Sequence, residues 1–205
     1  MKVKFEIVRK ASKMVKIFIK KKKNIKIHKI CAWTNLGKMW YILGDSRDTD
    51  VKGGSVMYSV FDVANWFLQK EEMTNKKLQK LCYYAQAWSY AFNNKKMFDG
   101  DFEAWVHGPV NRSLWNALRN YGYDKVESNH FSKSAHNIED DSILELLEDV
   151  WATYGEFSGG QLEALTHREK PWCKARIGLD EYEPSQTLIA PDDMRSYYRS
   201  LLVEN

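Results

Sequence analysis

Cysteine is scarce in this 205-residue chain, and it is poorly placed for bridging or metal work. The three present, Cys31, Cys82 and Cys173, are odd in number and show no CxxC spacing. They read as reduced thiols of a cytosolic protein, two of them filling helix faces. Long apolar runs are missing too. No stretch approaches the roughly 18–20 apolar residues that a membrane-spanning helix needs. The best N-terminal run, Met14 to Ile19, is interrupted by Lys16 and lacks the small-residue cleavage site of a secretory signal. Phosphate-cradling patterns are absent: there is no GxxxxGK[ST] and no GxGxxG, and Gly159-Gly160 reads as a helix start. The histidines downstream of residue 57, His107, His130, His136 and His167, form no HExxH or HxH. Neither a metal nor a cofactor is expected.

Positive charge is missing from most of the chain, although the whole carries +4. Residues 1–30 hold twelve Lys/Arg against the single acid Glu6, and residues 31–57 balance three against three. Residues 58–205 hold sixteen basic and twenty-three acidic groups, a net −7. An acidic body repels phosphate backbones at long range, so nucleic acid is a poor partner and a basic protein surface a better one.

The chain divides at Met57. Residues 1–56 are a basic extension and linker, rich in Lys and Ile before residue 30 and in Gly and Asp after it. One reading is a basic arm for nucleic acid or anionic lipid. The other is translated AT-rich upstream DNA, with the true start at Met57; Lys52-Gly53-Gly54 can be encoded by a purine-rich ribosome-binding sequence just ahead of it. Residues 57–205 form the folded domain.

Apolar spacing in that domain predicts helices. The first covers 58–70 through Val60, Val63, Ala64 and Phe67. The second covers about 75–93, capped by Thr74 or Asn75, with Leu78, Leu81, Cys82, Ala85, Trp88 and Phe92 inward and Lys76, Lys77, Lys80 and Gln86 elsewhere. Residues 102–106 alternate as a short extended segment. Pro109 suits the first position of a helix running from Val110 to about Tyr121. Residues 123–139 read as a loop with room for a short strand. Asp140 or Asp141 caps a helix to Tyr154, Ser158 another to about Arg168, and Pro171 opens a third through Arg176. Residues 180–190 look extended, and Pro191 starts the last helix, with Met194, Tyr197 and Tyr198 inward. The fold class is mainly α: a compact bundle of six or seven short helices with at most a small extended or hairpin element.

Catalysis finds little support. A nucleophile pair from Cys173 with His107 or His167 is conceivable, but Cys173 lies within an apparent helix after Pro171-Trp172 and reads as a small buried thiol. Glu103 with Asp99 or Asp101 mimics a carboxylate pair, yet charged loop residues are usually solvated. No catalytic residue is assigned.

Two segments are odder than packing requires. In Phe102–Val110, His107 precedes the break at Gly108-Pro109; it either fixes the turn or meets a partner. In Leu165–Trp172, the ring of Trp172 either wedges a corner or anchors a partner. Together with Leu78-Gln-Lys-Leu-Cys-Tyr-Tyr-Ala-Gln-Ala-Trp88, these segments resemble the signature of the Panacea, or SocA-like, antitoxin domain family, whose members also occur as phage-associated proteins of the GepA type. The resemblance covers roughly 58–180, and the stretch after Gly122 aligns with no family feature.

The resemblance implies a protein that neutralises a cognate toxin, encoded by the adjacent gene, through direct contact. It also implies an alternative, a proteolytic adaptor that hands a toxin to an ATP-dependent protease; a further rival is a DNA-binding operon regulator, for which Asn111-Arg112, Arg119 and Lys125 would make a small basic face. Trp105, His107, Arg112, Trp115, His167 and Trp172 are the candidate partner-binding residues, in a cytoplasmic, non-enzymatic protein.

Overall fold

The computed structural model describes residues 57–202. The extension 1–56, with both readings of it and Cys31, lies outside the described residues. Seven α-helices run through the described part: α1 (Val60–Leu68), α2 (Asn75–Asn93), α3 (Arg112–Leu118), α4 (Asp141–Tyr154), α5 (Gly159–Thr166), α6 (Lys170–Ala175) and α7 (Pro191–Ser200). The fold is mainly α, as the apolar spacing predicts.

Caps set most helix starts. Ser59 and Asp62 make a reciprocal capping box for α1, and Ser158 and Gln161 do the same for α5. The Thr74 hydroxyl accepts from the Lys77 amide at the head of α2. Asp140 accepts from the Ser142 and Ile143 amides at the head of α4. Pro191 is the first residue of α7, where a missing N–H costs nothing. Asn94, with φ 56°, ends α2 in the left-handed region.

Helix α2 is the axis of the domain, flanked by α1, α4, α5 and α7. Its inner face carries rings. Tyr84 stacks on Tyr154 with centroids 4.0 Å apart, and Trp88 Nε1 donates to the Tyr154 hydroxyl at 3.1 Å. Burial extends to residues that periodicity assigns to the outside: Lys77, Lys80 and Gln86 are all buried, as is Gln79 beside them. The reason is long-range. Gln79 Oε1 accepts from the Asn111 amide at 2.8 Å while its Nε2 donates to the Asn111 carbonyl. Gln86 Oε1 accepts from the Met97 and Phe98 amides, and its Nε2 donates to the Phe98 carbonyl. Buried amides of this kind are satisfied by loop backbone that no helical wheel contains.

Six short strands pair in twos. β1 (Tyr58–Ser59) runs parallel to β3 (Phe98–Asp99), and β2 (Met73–Thr74) antiparallel to β6 (Lys125–Val126). β4 (Glu103–Trp105) and β5 (Gly108–Val110) form a hairpin in which Ala104 faces Pro109. Pro109 is therefore a strand residue and not the first residue of a helix. Chain direction changes two residues later, where the Asn111 side chain accepts from the Leu114 amide and caps α3. The segment before α7 lies along the free edge of β4, with the Ala104 amide donating to the Thr187 carbonyl and the Ile189 amide to the Phe102 carbonyl, each at 2.8 Å.

Candidate functional site

The three motif segments meet. α2 contributes Lys80, the β4–β5 hairpin contributes Trp105 through Pro109, and the α5–α6 corner contributes Thr166, His167 and Trp172. The meeting point is Lys80, 1% exposed, whose Nζ donates to the Pro109 carbonyl at 3.0 Å. Gly108 makes this approach possible. Its φ is +91°, and a Cβ there would come within 2.7 Å of Lys80 Cε and 2.8 Å of Thr166 Oγ1. Burial drives the ammonium's pKa down to about 7; the nearby Glu163 carboxylate opposes that drop and Lys76 adds to it.

Glu163, on α5, holds two side chains at once. Lys76 Nζ lies 2.5 Å from Oε2, and His107 Nδ1 lies 2.8 Å from Oε1. Burial would raise the carboxyl, but these two bonds outweigh it and hold it below the usual carboxylate range. His107 is thus tied to α5 across the hairpin, while its side chain remains 70% exposed. It fixes the turn and still presents a face to solvent.

Trp105 and Trp115 make a ridge, with ring centroids 5.2 Å apart. Grooves lie on both sides. One, of about 420 Å³, is lined by Lys76, Lys80, Tyr123 and the glycines that open α5, as well as by the ridge and His107. The other, of about 610 Å³, is lined by the ridge, His107, Arg112 and Tyr182. Tyr123 is 95% exposed and Tyr182 76%, so a protruding ring stands at the outer edge of each groove. Arg112 bonds both oxygens of Glu103, at 2.7 and 2.6 Å, and its guanidinium lies over Trp105. Burial would raise Glu103 too, but the Arg112 and Trp105 hydrogen bonds win and keep it ionised. Arg112 is therefore neutralised in place, which removes the strongest member of the basic face considered for DNA.

His167 and Trp172 stack on each other at 4.1 Å behind the hairpin and line neither groove. Trp172 Nε1 donates to the Trp105 carbonyl at 3.0 Å. The wedge role therefore describes Trp172 better than the anchor role. Burial holds the His167 imidazole below its usual range. Arg176, unremarked in the sequence, sits over Trp172 and donates to the Ala104 carbonyl and to three carbonyls of the next loop, those of Asp180, Glu181 and Glu183.

A second polar cluster lies deeper. Glu169 accepts from the Tyr198 hydroxyl at 2.6 Å and from the Tyr84 hydroxyl at 3.4 Å, with no part of the cluster facing either groove. Burial raises its carboxyl to about 8 against the lowering effect of both phenols. Neither Lys80 nor Glu169 is legible from charge pattern alone; their only signal is membership of the motifs. Cys173 is exposed and not a buried thiol. Its Sγ donates to the backbone carbonyl of His167, not to an imidazole. Partial burial of the sulfur raises the thiol's pKa, the opposite of what an activated nucleophile needs. Among the described residues no group of three or more His, Cys, Asp or Glu is placed to hold a metal ion, and no helix is long and apolar enough to cross a membrane.

Comparison with known proteins picks out the same segments. Residues 78–173 match the family model described as antitoxin SocA-like, Panacea domain. The chain is 31% identical over 124 residues to Antitoxin SocA of Caulobacter vibrioides (strain NA1000 / CB15N), an alignment that covers 54% of this chain and 66% of that protein. The chain thus spans just under two thirds of that relative's length. No solved structure matches.

Proposed function

We propose that this chain, whose residues 78–173 match the SocA-like Panacea family model, is an antitoxin, which neutralises a cognate toxin by binding it directly on the Trp105–Trp115 face. The observation that carries the reading is the Trp105–Trp115 ridge, backed by the third motif segment through Trp172, with a groove on each side and an exposed tyrosine at each outer edge. Large rings with polar neighbours are the residue types that dominate binding energy at protein interfaces. A standard interface buries on the order of 1,600 Å² in total, more than either groove alone supplies, so the ridge and both rims act together. Trp105, His107, Arg112 and Trp115 are contact residues in this reading. His167 and Trp172 shape the site from behind.

The partner is a toxin encoded beside this gene, met in the cytoplasm. Co-expression tests it: the neighbouring product is toxic alone, and this chain restores growth. If no neighbouring product is toxic, or a toxic one is not rescued, the antitoxin reading fails. Toxin half-life separates masking from delivery to an ATP-dependent protease. Masking leaves the half-life unchanged or longer, and delivery shortens it. A DNA-binding role is disfavoured by the net −7 of residues 58–205 and by the Arg112–Glu103 pair.

A further inference from the structure

The groove beside Lys80 collects positive groups from two helices that begin without an acid. α2 and α5 both open onto it, α2 through Thr74, Asn75 and Lys76, α5 through Gly159 and Gly160. Neither helix has an acidic residue in its first turn, the position where a carboxylate is most favourable. The two ends are pressed together. A Cβ on Gly159 would lie 3.0 Å from the Lys77 backbone nitrogen and 3.1 Å from Lys76 Cγ. Thr74 and Ser158 cap the Lys77 and Gln161 amides, which leaves the amides of Asn75, Lys76, Gly159 and Gly160 with no acceptor inside their helices, and all four residues line this one groove.

Lys80 is the independent sign. It is buried, it lines this groove, and its ammonium has three N–H groups but one protein acceptor, the Pro109 carbonyl. A buried cation short of acceptors is stabilised by an arriving anion far more than a solvated one is. Thr166 and Gly108 close the space behind it, so an anion has to enter from the groove side.

We propose that this groove is a carboxylate-binding site, and that it receives an Asp or Glu side chain of the bound toxin; this choice of occupant rests on the reading of the Trp105–Trp115 face as the toxin-binding surface. The walls suit a polypeptide. Trp105, Trp115 and Tyr123 offer ring faces to the methylene stem and its neighbours, and about 420 Å³ holds a side chain rather than a folded element. A singly charged carboxylate suits the site better than a phosphate dianion does, because Glu163 already bonds Lys76 and His107 and the surrounding domain is acidic.

The probe is acetate, which needs no toxin. The isotope-labelled full chain is titrated with sodium acetate, with sodium chloride at matched ionic strength and inorganic phosphate as comparison arms, and backbone amide and indole resonances are followed by NMR. Saturable shifts are expected at Gly159, Gly160 and Trp105 with acetate. Gly160 has open space where a Cβ would go, so Gly160→Asp supplies an internal carboxylate: acetate affinity falls by about 10-fold or more, near 1.4 kcal/mol, while the thermal midpoint rises. Gly160→Asn leaves affinity unchanged, and Lys80→Met weakens it. A linear drift indistinguishable from chloride overturns the proposal, as does equal acetate affinity in Gly160→Asp and the parent chain. Saturable phosphate binding without acetate binding overturns it in favour of a phosphate ligand. A failed rescue in co-expression bears on the antitoxin reading alone and leaves the acetate result standing.

Discussion

Around Lys80 the ammonium has one protein acceptor and a groove in front of it. Four residues further along the same helix, Tyr84 points at Glu169, whose carboxyl is closed in by two phenols and by the ring core. Both groups are buried, and burial displaces both toward neutrality: the amine down to about 7, the acid up to about 8. The difference lies in what surrounds them. The acid is protonated near neutral pH and its hydrogen-bond partners come from within, so it behaves as core. The amine is poised between its two forms, has a single protein acceptor and lines an open groove, so it behaves as a receptor. Buried charge alone does not mark a binding site; buried charge with an open side does.

The two groups also give stability opposite slopes with pH. The folded acid keeps its proton between about 4.5 and 8 while the unfolded one loses it, so stability falls as pH rises across that window. The folded amine gives up its proton near 7 while the unfolded one holds it to about 10.5, so stability rises with pH across that second window. Together they place a trough between about 7 and 8.

Lys80→Met breaks the comparison hardest. It should abolish the rising limb, a change of several kcal/mol at about 1.4 kcal/mol per pH unit. At pH 7 part of the gain is offset by the Pro109 carbonyl losing its donor. Urea unfolding from pH 6 to pH 10 checks it, and a retained limb would mean that Lys80 titrates normally. Gly108→Ala comes next. It strains a positive φ and drives a methyl group into Lys80 and Thr166, with an expected loss of about 2–3 kcal/mol by thermal unfolding. Glu169→Gln should flatten the falling limb and make the variant more stable than the parent above pH 8, while rescue by co-expression is unaffected. Tyr123→Ala should have the smallest effect on stability, within about 0.5 kcal/mol, because the ring is almost fully exposed. It should nonetheless weaken toxin binding, measured by titration calorimetry.

Local chemistry made much of the fold legible. Thr74, Asp140 and Ser158 are caps whose side chains act within three residues, and the apolar stripes of α1, α4 and α7 follow helical spacing. The misreadings share one physical cause, which is satisfaction at a distance. Lys80 and Gln86 look like a solvent face because their acceptors and donors belong to the hairpin and to the segment after α2. Pro109 looks like a helix start because the strand that it faces is set by pairing, not by propensity. Cys173 follows Pro171 and Trp172 on a short helix, and only tertiary packing decides which of its sides meets the core. The Trp105–Trp115 ridge was within reach because large rings beside a Gly-Pro break exceed what a turn requires. Its grooves were not, since their walls include residues from α2, the start of α5 and the loop before α7, all distant in sequence from the ridge.

Arg176 has a consequence for the rim that carries Tyr182. One guanidinium gathers the carbonyls of Asp180, Glu181 and Glu183 while anchored to Ala104 beneath Trp105. The loop that lifts Tyr182 into solvent is thereby wound around a fixed spool. Most of the freedom that such a loop would surrender on meeting another protein has already been given up on folding, so a lysine at 176 would keep the charge, unwind the spool and slow the formation of any complex that uses this edge.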